Sequence, residues 1–318
     1  MSFLADGEYH SGESLARALN ISRAAVWKHI EFLKNQGLQI SSVRGRGHRL
    51  LQPVELLNKD HILGHLNNSF KARLNALDVF FDIESTNQYL LDRLKTDPIH
   101  GHVVAAEYQT AGKGRGNNKW LSPPASGLCF SMGWSFDSTP GSLNALSLAV
   151  GVAIADALSE LGCSGIKLKW PNDIVASGAK LGGILIETQG QVGGKHDVII
   201  GTGINVNMPE QIAALIEQGV TDINHLMQQL PSRNFLLAII LRHLMISLDT
   251  FASEGFSAFI EKWRKLDDVT NKNAVLILAK EKISGKVKGI DNNGFLILNV
   301  EGKECKFSSG ELSLRVMN

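Results

Sequence analysis

The hydrophobic pattern at the start of the chain predicts two short helices. Ser11 and Ser22 each precede a helical segment and can accept a hydrogen bond from its first turn. In the second segment, Val26, Ile30 and Leu33 fall at i, i+4 and i+7, which is the spacing of one buried helical stripe. The sequence therefore predicts a helix-turn-helix here.

A basic hairpin is predicted directly after these helices, over residues 40–51. Its centre reads Arg44-Gly45-Arg46-Gly47-His48-Arg49, so glycine bends alternate with positive charge. Together the helices and hairpin are typical of a winged helix-turn-helix, in which the wing contacts phosphates and a helix contacts bases or backbone. A charged face that contacts only water is the alternative. The predicted DNA-contacting residues are Arg23, Trp27, Lys28, Arg44, Arg46 and Arg49.

Strand-like and helix-like runs alternate through the middle of the chain. Strands are predicted at 77–81, 102–107, 128–134, 166–170, 181–188 and 198–205, and helices at 87–94, 143–161, 235–251 and 256–265. This mixture favours one mixed sheet with helices packed against it.

After residue 270 the pattern changes to short strands separated by turn residues. The predicted turns are Ser284-Gly285, residues 291–294 and Glu301-Gly302, which is hairpin chemistry suited to a small β-barrel. The predicted fold class is therefore α+β, with domains at 1–58, 59–269 and 270–318.

Composition narrows the class of protein. Hydrophobic residues make up 44% and charged residues 20%, as in ordinary globular proteins, and a net charge of only +1 means that any DNA-binding surface must be local. We expect a cytoplasmic protein without a membrane segment, because no run reaches the roughly 18 apolar residues of a span. Cys129, Cys163 and Cys305 lack CxxC spacing and the ten histidines lack HxH or HExxH spacing, which makes a zinc enzyme the weakest alternative.

The loop Gly112-Lys113-Gly114-Arg115-Gly116 has the strongest chemical signal. Backbone N–H groups and a guanidinium can converge on an anion in such a loop. It matches neither the Walker A pattern nor GxGxxG, and a solvated basic turn is the alternative.

Four further segments place polar groups beside predicted strands. Residues 167–173 read Lys-Leu-Lys-Trp-Pro-Asn-Asp, and residues 84–87 read Glu-Ser-Thr-Asn; a structural turn and a helix cap are the respective alternatives. Lys180 precedes a strand of glycine and aliphatic residues, where an uncompensated charge is costly unless an anion arrives. Asn205 ends the segment 200–205, whose glycines permit close approach of a ligand.

In this order, the segments resemble those of biotin protein ligases. The resemblance is carried by Ser-Thr-Asn, Glu-Tyr-Gln followed by Ala-Gly-Lys-Gly-Arg-Gly, Lys-Trp-Pro-Asn-Asp, Lys-Leu-Gly-Gly-Ile-Leu-Ile-Glu and Gly-Thr-Gly-Ile-Asn-Val-Asn. It covers nearly the whole chain, and the two terminal domains resemble the subclass that also represses biotin synthesis genes. It implies a class II synthetase-like catalytic domain and an SH3-like C-terminal barrel.

The resemblance also implies a two-step reaction. Biotin and ATP form biotinyl-5′-AMP with release of pyrophosphate, and a lysine of an acceptor protein then attacks the mixed anhydride. The implied partners are the biotin carboxyl carrier protein of acetyl-CoA carboxylase, operator DNA and a second copy of the chain.

Site residues follow from the matching motif positions. The implied catalytic residues are Arg115 and Lys180, with Asp173 as a hypothetical acceptor of the proton of the incoming lysine. The implied biotin-binding residues are Ser85, Thr86, Asn87, Gln109, Gly112, Lys113, Gly114, Arg115, Lys180, Gly183 and Gly201. The implied nucleotide-binding residues are Arg115, Trp120, Asn172, Lys180 and Asn205, and Mg²⁺ would be bound mainly through the ATP phosphates.

The chain departs from the family's pattern in two places. Lys113 and the Gly-Asn-Asn of residues 116–118 stand where repressor-type relatives carry arginines, and Val220 stands where some relatives place a tryptophan on adenine. Retention of the adenylate is the property that these changes would weaken. The remaining alternatives are a lipoate–protein ligase and a regulator with an inactive catalytic domain.

Overall fold

The N-terminal unit consists of two helices and a hairpin. The computed structural model describes residues 1–137, 143–190, 195–278, 281–309 and 312–316. A 3-10 turn at Ser2–Leu4 precedes α1 (Gly12–Leu19), α2 (Arg23–Asn35), β1 (Ile40–Val43) and β2 (Gly47–Leu50). β1 and β2 are antiparallel, so the predicted winged helix-turn-helix is confirmed.

Both predicted capping serines occupy N-cap positions. The side chain of Ser11 accepts a hydrogen bond in the first turn of α1, and that of Ser22 does so in α2, at 3.0 and 3.1 Å. The predicted stripe of α2 is buried, with Val26, Ile30 and Leu33 at most 5% exposed. The opposite face of α2 therefore remains available to a partner.

A seven-stranded sheet forms the centre of the molecule. Its strands are β3 (Ala76–Ile83), β4 (His102–Gln109), β5 (Gly127–Phe136), β6 (Ile166–Lys169), β7 (Asp173–Ala176), β8 (Ala179–Gly190) and β9 (His196–Asn205). The spatial order is β3-β4-β5-β9-β8-β7-β6, with β3 and β4 parallel and the other neighbours antiparallel. The predicted mixed sheet is confirmed.

Eight helices accompany this sheet in the described part of the chain. They are α3 (Lys59–Gly64), α4 (Asn68–Lys71), α5 (Thr86–Leu94), α6 (Leu146–Glu160), α7 (Glu210–Ala213), α8 (Ile223–Leu226), α9 (Arg233–Glu254) and α10 (Ile260–Leu266). Alternate residues of β9 face opposite sides. Val198, Ile200 and Ile204 join the core with α6 and α9. The intervening Gly201 and Gly203 therefore face the other side, where the candidate site lies.

The long apolar helices belong to this core. The stretches Leu143–Glu160 and Arg233–Ala258 are long and apolar enough to cross a membrane, so the expectation that no segment reaches that length was wrong. However, 67% and 56% of their most apolar windows are buried inside the fold. Burial of their side chains against the sheet explains their composition, because a core helix that is covered on most sides has little polar surface.

The C-terminal unit is a five-stranded antiparallel sheet. Its strands are β10 (Asn273–Leu278), β11 (Glu281–Ile290), β12 (Leu296–Val300), β13 (Lys303–Phe307) and β14 (Ser313–Val316), in the order β13-β12-β11-β10-β14. The predicted turns at 291–294 and 301–302 lie between strands.

The third predicted turn was wrong. Ser284 and Gly285 lie inside β11, where they pair with β10. A Cβ atom on Gly285 would lie 2.4 Å from Asn299 O on β12. The glycine is therefore required by close strand packing rather than by a bend.

One strand and the start of one helix also differ from the prediction. The Pro-Asn-Asp turn leads directly into β7, which was not predicted, because four residues are too few to show a periodic pattern. The helix expected from residue 256 begins as a 3-10 turn, and α10 starts only at Ile260.

A buried ion pair joins the linker to the central sheet. Glu107 on β4 contacts Arg233 at the start of α9 at 2.8 Å, and the two side chains are 2% and 6% exposed. The same carboxylate accepts from Leu57 N and Ala125 N, while Arg233 donates to Glu55 O. The linker between the N-terminal unit and the sheet is thereby fixed at the strand that leads into the basic loop.

Candidate active site

One wall of the candidate pocket is formed by the start of α5 and the end of β4. Ser85 caps α5 by accepting from Gln88 N at 3.4 Å. Gln109 Oε1 accepts from Thr86 N at 2.8 Å and from Thr86 Oγ1 at 3.2 Å. Ser85 and Thr86 are each only 3% exposed. The structure thus brings together three side chains that the resemblance implied for biotin.

Asn87 lies behind this wall with both polar ends bound to protein. Its Nδ2 donates to Glu187 Oε2 at 2.7 Å, and its Oδ1 accepts from Ser131 Oγ at 2.5 Å. A Cβ atom on Gly201 would lie 2.2 Å from Asn87 Oδ1, so Asn87 occupies the space beside that glycine. Sequence reasoning did not single out Ser131 or Glu187, although Glu187 ends one of the quoted motifs.

The basic glycine loop is held by its own backbone. Trp120 N donates to Gly112 O at 2.9 Å, and Gly114 N donates to Asn118 O at 2.7 Å. Gly116 has φ of 60°, in the left-handed region that favours glycine. Because the Gly114 N–H is used inside the loop, it is not available to an anion. The expectation that the amides of this loop converge on an anion is therefore wrong for Gly114.

Trp120 covers the glycine positions of β8 and β9. A Cβ atom on Gly203 would lie 2.3 Å from the Trp120 ring, whereas one on Gly183 would lie 3.6 Å from it. Lys180 Nζ is 5.9 Å from the centroid of the same ring. The indole therefore lies against Gly203 and beside Lys180, whose Nζ would itself lie 3.5 Å from a Cβ atom on Gly183.

Arg115 reaches from the loop across to the C-terminal unit. Its Nη1 donates to Asn172 Oδ1 at 3.5 Å, and its Nη2 donates to Ser309 O. Burial lowers the pKa of Arg115, and the charge of Asp173 acts in the opposite direction. Asn172 is itself fixed, since its Nδ2 donates to Ile184 O at 2.7 Å.

Lys180 and Asp173 form an ion pair at 2.6 Å, with side chains 22% and 16% exposed. The sequence indicated that Lys180 needs an anion beside it, and β7, which lies next to β8, supplies one in the carboxylate of Asp173. Lys169 is a further cation of this group that sequence reasoning did not select. Burial lowers the pKa of Lys169, with Asp173 opposing and Lys180 adding to the shift.

Asn205 ties the nucleotide side of the candidate site together. Its Nδ2 donates to Lys180 O at 3.4 Å and to Thr221 O at 3.0 Å. The Lys180 backbone also bridges to Val220 in a parallel pairing. Among the described residues, Asn205 Oδ1 accepts no hydrogen bond, so this oxygen is the end that can meet a ligand.

Lys113 is not part of the Arg115–Lys180 group. Its side chain is exposed, and its Nζ donates to Gln88 Oε1 on α5 at 3.2 Å. A role for Lys113 in binding biotin would have to come from its backbone.

The predicted DNA-contacting residues divide into two groups. Arg23, Lys28, Arg44 and Arg46 are exposed, and Trp27 is 59% exposed. Arg49, in contrast, is half-buried. Its guanidinium carbon lies 4.8 Å from the Tyr9 ring centroid, and that of Arg46 lies 4.5 Å from it. Tyr9 was missed by sequence reasoning because it precedes the helices and carries no charge; it holds two cations of the wing.

Three family models match successive parts of the chain. They are an HTH domain at residues 1–49, the biotin/lipoate A/B protein ligase family at 79–205 and the biotin protein ligase C terminal domain at 273–315. These three matches follow the order of the N-terminal unit, the central sheet and the five-stranded sheet.

Named relatives match along almost the whole chain. The bifunctional ligase/repressor BirA of Escherichia coli is 39% identical over 99% of this chain and 96% of that protein. The Bacillus subtilis protein of the same name is 29% identical over 98% and 95%. The solved biotin protein ligase of Aquifex aeolicus, in complex with biotin and ATP, superposes with a TM-score of 0.64 at 29% identity, covering 77% of this chain and all of that one.

Proposed function

We propose that this chain, which belongs to the biotin protein ligase family, forms biotinyl-5′-AMP from biotin and ATP and transfers biotin to a lysine of the biotin carboxyl carrier protein. It also acts as a repressor through its winged helix-turn-helix, as its ligase/repressor relatives are named. The observation that carries the proposal is a group of charges around Asp173: Lys180 pairs with it at 2.6 Å, Arg115 contacts the adjacent Asn172, and the charge of Asp173 acts on the pKa of both Arg115 and Lys169.

This charge arrangement suits the first step. A carboxylate and a triphosphate repel each other, and one pair of unit charges at about 4 Å is worth roughly 4 kcal/mol at an effective dielectric of 20. Arg115 and Lys180 would lie on either side of the reacting oxygens and stabilise the charge that develops there. Burial strengthens this effect, because charges in a site that excludes water are poorly screened.

The pocket wall at α5 would bind the bicyclic ring of biotin. Ser85, Thr86 and Gln109 supply polar groups at its surface, next to Gly112 and the glycines of β8 and β9. Such a wall suits an apolar ring that carries one urea group. Trp120, Asn172 and Asn205 would form the nucleotide side, with Val220 in the loop paired to Lys180.

Mg²⁺ would enter with the ATP phosphates. Within the described ranges, no group of three His, Cys, Asp or Glu side chains is placed to hold a metal ion. A metal ion that is bound mainly by phosphate oxygens needs few protein ligands, and Asn205 Oδ1 and Asp173 would be the protein oxygens nearest to it. When bound, Mg²⁺ would share the charge of the phosphates.

Asp173 would take part in the second step. We assign it the hypothetical role of accepting the proton of the acceptor lysine. Its contact with Lys180 at 2.6 Å supports this role, because Lys180 is the cation that we assign to the reacting carboxylate and phosphate. No covalent enzyme intermediate is required. Asp173→Asn should slow transfer from preformed biotinyl-adenylate, and an unchanged transfer rate would remove this role.

The test of the ligase proposal is ATP-dependent transfer of labelled biotin to a carrier domain. Arg115→Ala and Lys180→Ala should each lower the rate about 100-fold, the typical loss when a charge-stabilising donor is removed. Lys119→Ala is the matched control, because Lys119 is an exposed cation of the same loop. Equal rates in all variants, or preference for lipoate over biotin, would reject the proposal.

The regulatory part concerns operator DNA and a second copy of the chain. The exposed cations of α2 and the wing would contact DNA, and the adenylate-bound protein would dimerise on a palindromic operator in the cytoplasm. Binding of operator DNA should weaken steeply as salt rises, and Arg44→Ala should reduce the slope by about one ion. A salt-independent interaction would contradict a phosphate contact at this wing.

A further inference from the structure

The hairpin of the N-terminal unit has two faces with different neighbours. Ile40 and Leu50 are paired across β1 and β2, and both pack against the hydrophobic core that α1 and α2 form. Side chains alternate between the two faces along a strand, so the next pair, Ser41 and Arg49, lies on the face turned away from the helices. The outer face of the wing is therefore a surface of its own.

A cleft on the helix side contains two other arginines that were predicted to contact DNA. Ser42 lines this cleft from the hairpin, together with Arg44 beside it and Arg23 at the start of α2. Arg46 and Arg49 are not among the residues that line it. The positive charge of the unit is thus divided between the cleft and the outer face of the wing.

On the outer face, Tyr9 lies against two cations. The guanidinium carbons of Arg46 and Arg49 lie 4.5 and 4.8 Å from the centroid of its ring. The ring is itself anchored, since Tyr9 Oη lies 3.2 Å from Ser41 Oγ. This hydrogen bond lowers the pKa of Tyr9, burial opposes the shift, and the charges of Arg49 and Arg46 lower the pKa further. One aromatic ring therefore holds both arginines on the same side of the hairpin.

These two cations have no protein counter-charge. In the part of the chain that the structure describes, neither forms an ion pair, and Arg49 Nε is buried without a hydrogen-bond partner. Asp6 contacts His10 at 2.9 Å instead, and Glu13 pairs with Arg17 at 3.3 Å. Like charges held close together repel each other, so the arrangement favours a bound anion with several acceptor oxygens.

We propose that Tyr9, Arg46 and Arg49 form a second site for the sugar-phosphate backbone of DNA, here called the outer wing site, separate from the cleft on the helix side. The guanidinium groups would bind phosphate oxygens, and Tyr9 is the positioning residue that orders them before DNA arrives. This inference rests on the proposed DNA binding of the chain. It gives the half-buried Arg49 a role that exposure alone does not indicate.

The test measures binding of the full chain to a fluorescently labelled duplex of about 30 base pairs, by anisotropy at several salt concentrations. A mixed sequence is sufficient, because backbone contacts do not depend on base order. Tyr9→Leu removes the ring but keeps both charges. It should weaken binding about tenfold, since two arginine side chains must then be ordered on binding. The slope of log affinity against log salt should change by less than about half an ion, because the charges remain.

A second set of variants separates positioning from charge. Loss of both Arg46 and Arg49, each replaced by Ala, should lower the salt slope by about two ions. In that background Tyr9→Leu should cost less than about twofold more, because the ring has nothing left to order. Arg44→Ala is the matched control from the cleft. In its background Tyr9→Leu should still cost about tenfold, as expected for independent sites.

A loss of wing structure would give a different pattern. Tyr9→Phe keeps the ring and loses only the contact with Ser41, so its affinity should stay within about threefold of wild type. If Tyr9→Leu acted by unfolding the wing, its cost would be the same with and without Arg46 and Arg49. That equal cost, or wild-type affinity in Tyr9→Leu, would reject the outer wing site alone. Failure of the wild-type chain to bind the duplex at low salt would reject the proposed DNA binding itself.

Discussion

Replacement of Glu107 by Gln should destabilise the protein far more than the similar shape of the two side chains suggests. Glu107 Oε1 accepts from Leu57 N at 2.5 Å and from Arg233 Nη2 at 3.0 Å. Its Oε2 accepts from Ala125 N at 3.1 Å and from Arg233 Nη1 at 2.8 Å. Whichever way Gln is turned, its NH₂ group faces one backbone N–H and one guanidinium N–H, and Arg233 loses its counter-charge.

The magnitude follows from burial. Removal of one partner of a buried ion pair costs about 3–5 kcal/mol, because the remaining charge is left without solvent or partner. At about 2–4 °C per kcal/mol for a domain of this size, the melting temperature should fall by about 10 °C. Glu160→Gln is the control: it breaks the Arg242–Glu160 pair, whose side chains are 30% and 44% exposed, and should cost less than about 1 kcal/mol.

Two measurements test this prediction. Denaturant unfolding gives the change in free energy, and hydrogen exchange reports the amides of Leu57 and Ala125, which should exchange faster once their acceptor is lost. Biotin affinity should fall as well, because both amides flank the strand that enters the basic loop. A free energy within about 1 kcal/mol of wild type, with both amides still protected, would refute the reasoning.

Three other experiments should give distinct results. Gly203→Ala should displace Trp120 and weaken nucleotide binding at least tenfold. The added Cβ atom of Gly183→Ala would meet no atom closer than 3.4 Å, so this variant should keep an affinity near that of wild type. Titration calorimetry measures both affinities. The pKa of Glu55 is lowered, since hydrogen bonds from α9 outweigh the opposing effect of burial. The stabilisation from ionised Glu55 is fully present above the pKa of the unfolded chain, near 4.5, and is lost as pH falls through the lower pKa of the folded protein. Glu55→Gln should therefore make stability depend less on pH below about pH 4.5. An acid unfolding profile parallel to that of wild type would contradict this. Cys305 should react with a thiol reagent well before the two buried cysteines, whose pKa values burial raises, as peptide mass mapping would show; equal labelling of all three would count against this burial.

Local patterns were sufficient to predict much of the fold. The caps at Ser11 and Ser22 and the period-two strands need only neighbouring residues, and each was found where the pattern placed it. The Glu107–Arg233 pair, in contrast, joins residues 126 positions apart. Nothing in the local sequence of either residue indicates that partner, because the contact depends on how α9 meets β4.

The candidate site shows the same division. The motifs placed Arg115, Lys180 and Asp173 in one region, but they did not indicate that Lys180 and Asp173 are paired. That contact depends on the register of β7 against β8, which shifts between Ile174 and Val175. A one-residue change in register would turn the carboxylate to the other face of the sheet. Pairing of charges across strands is therefore a property of the sheet, and the sequence supplies only the residues that can pair.

The glycines of β9 require a different interpretation from the one that the sequence suggested. Small residues on a strand beside polar motifs were expected to admit a ligand directly. At two of them, however, the space that a Cβ atom would need is already taken by protein, by Asn87 beside Gly201 and by the Trp120 ring beside Gly203. The glycines thus leave room for two other side chains against the sheet, of which Asn87 is buried behind the α5 wall and Trp120 is half-buried beside Lys180. A glycine-rich strand in this fold therefore marks the support of the pocket, which is why Gly203→Ala should act through Trp120 rather than by blocking the ligand itself.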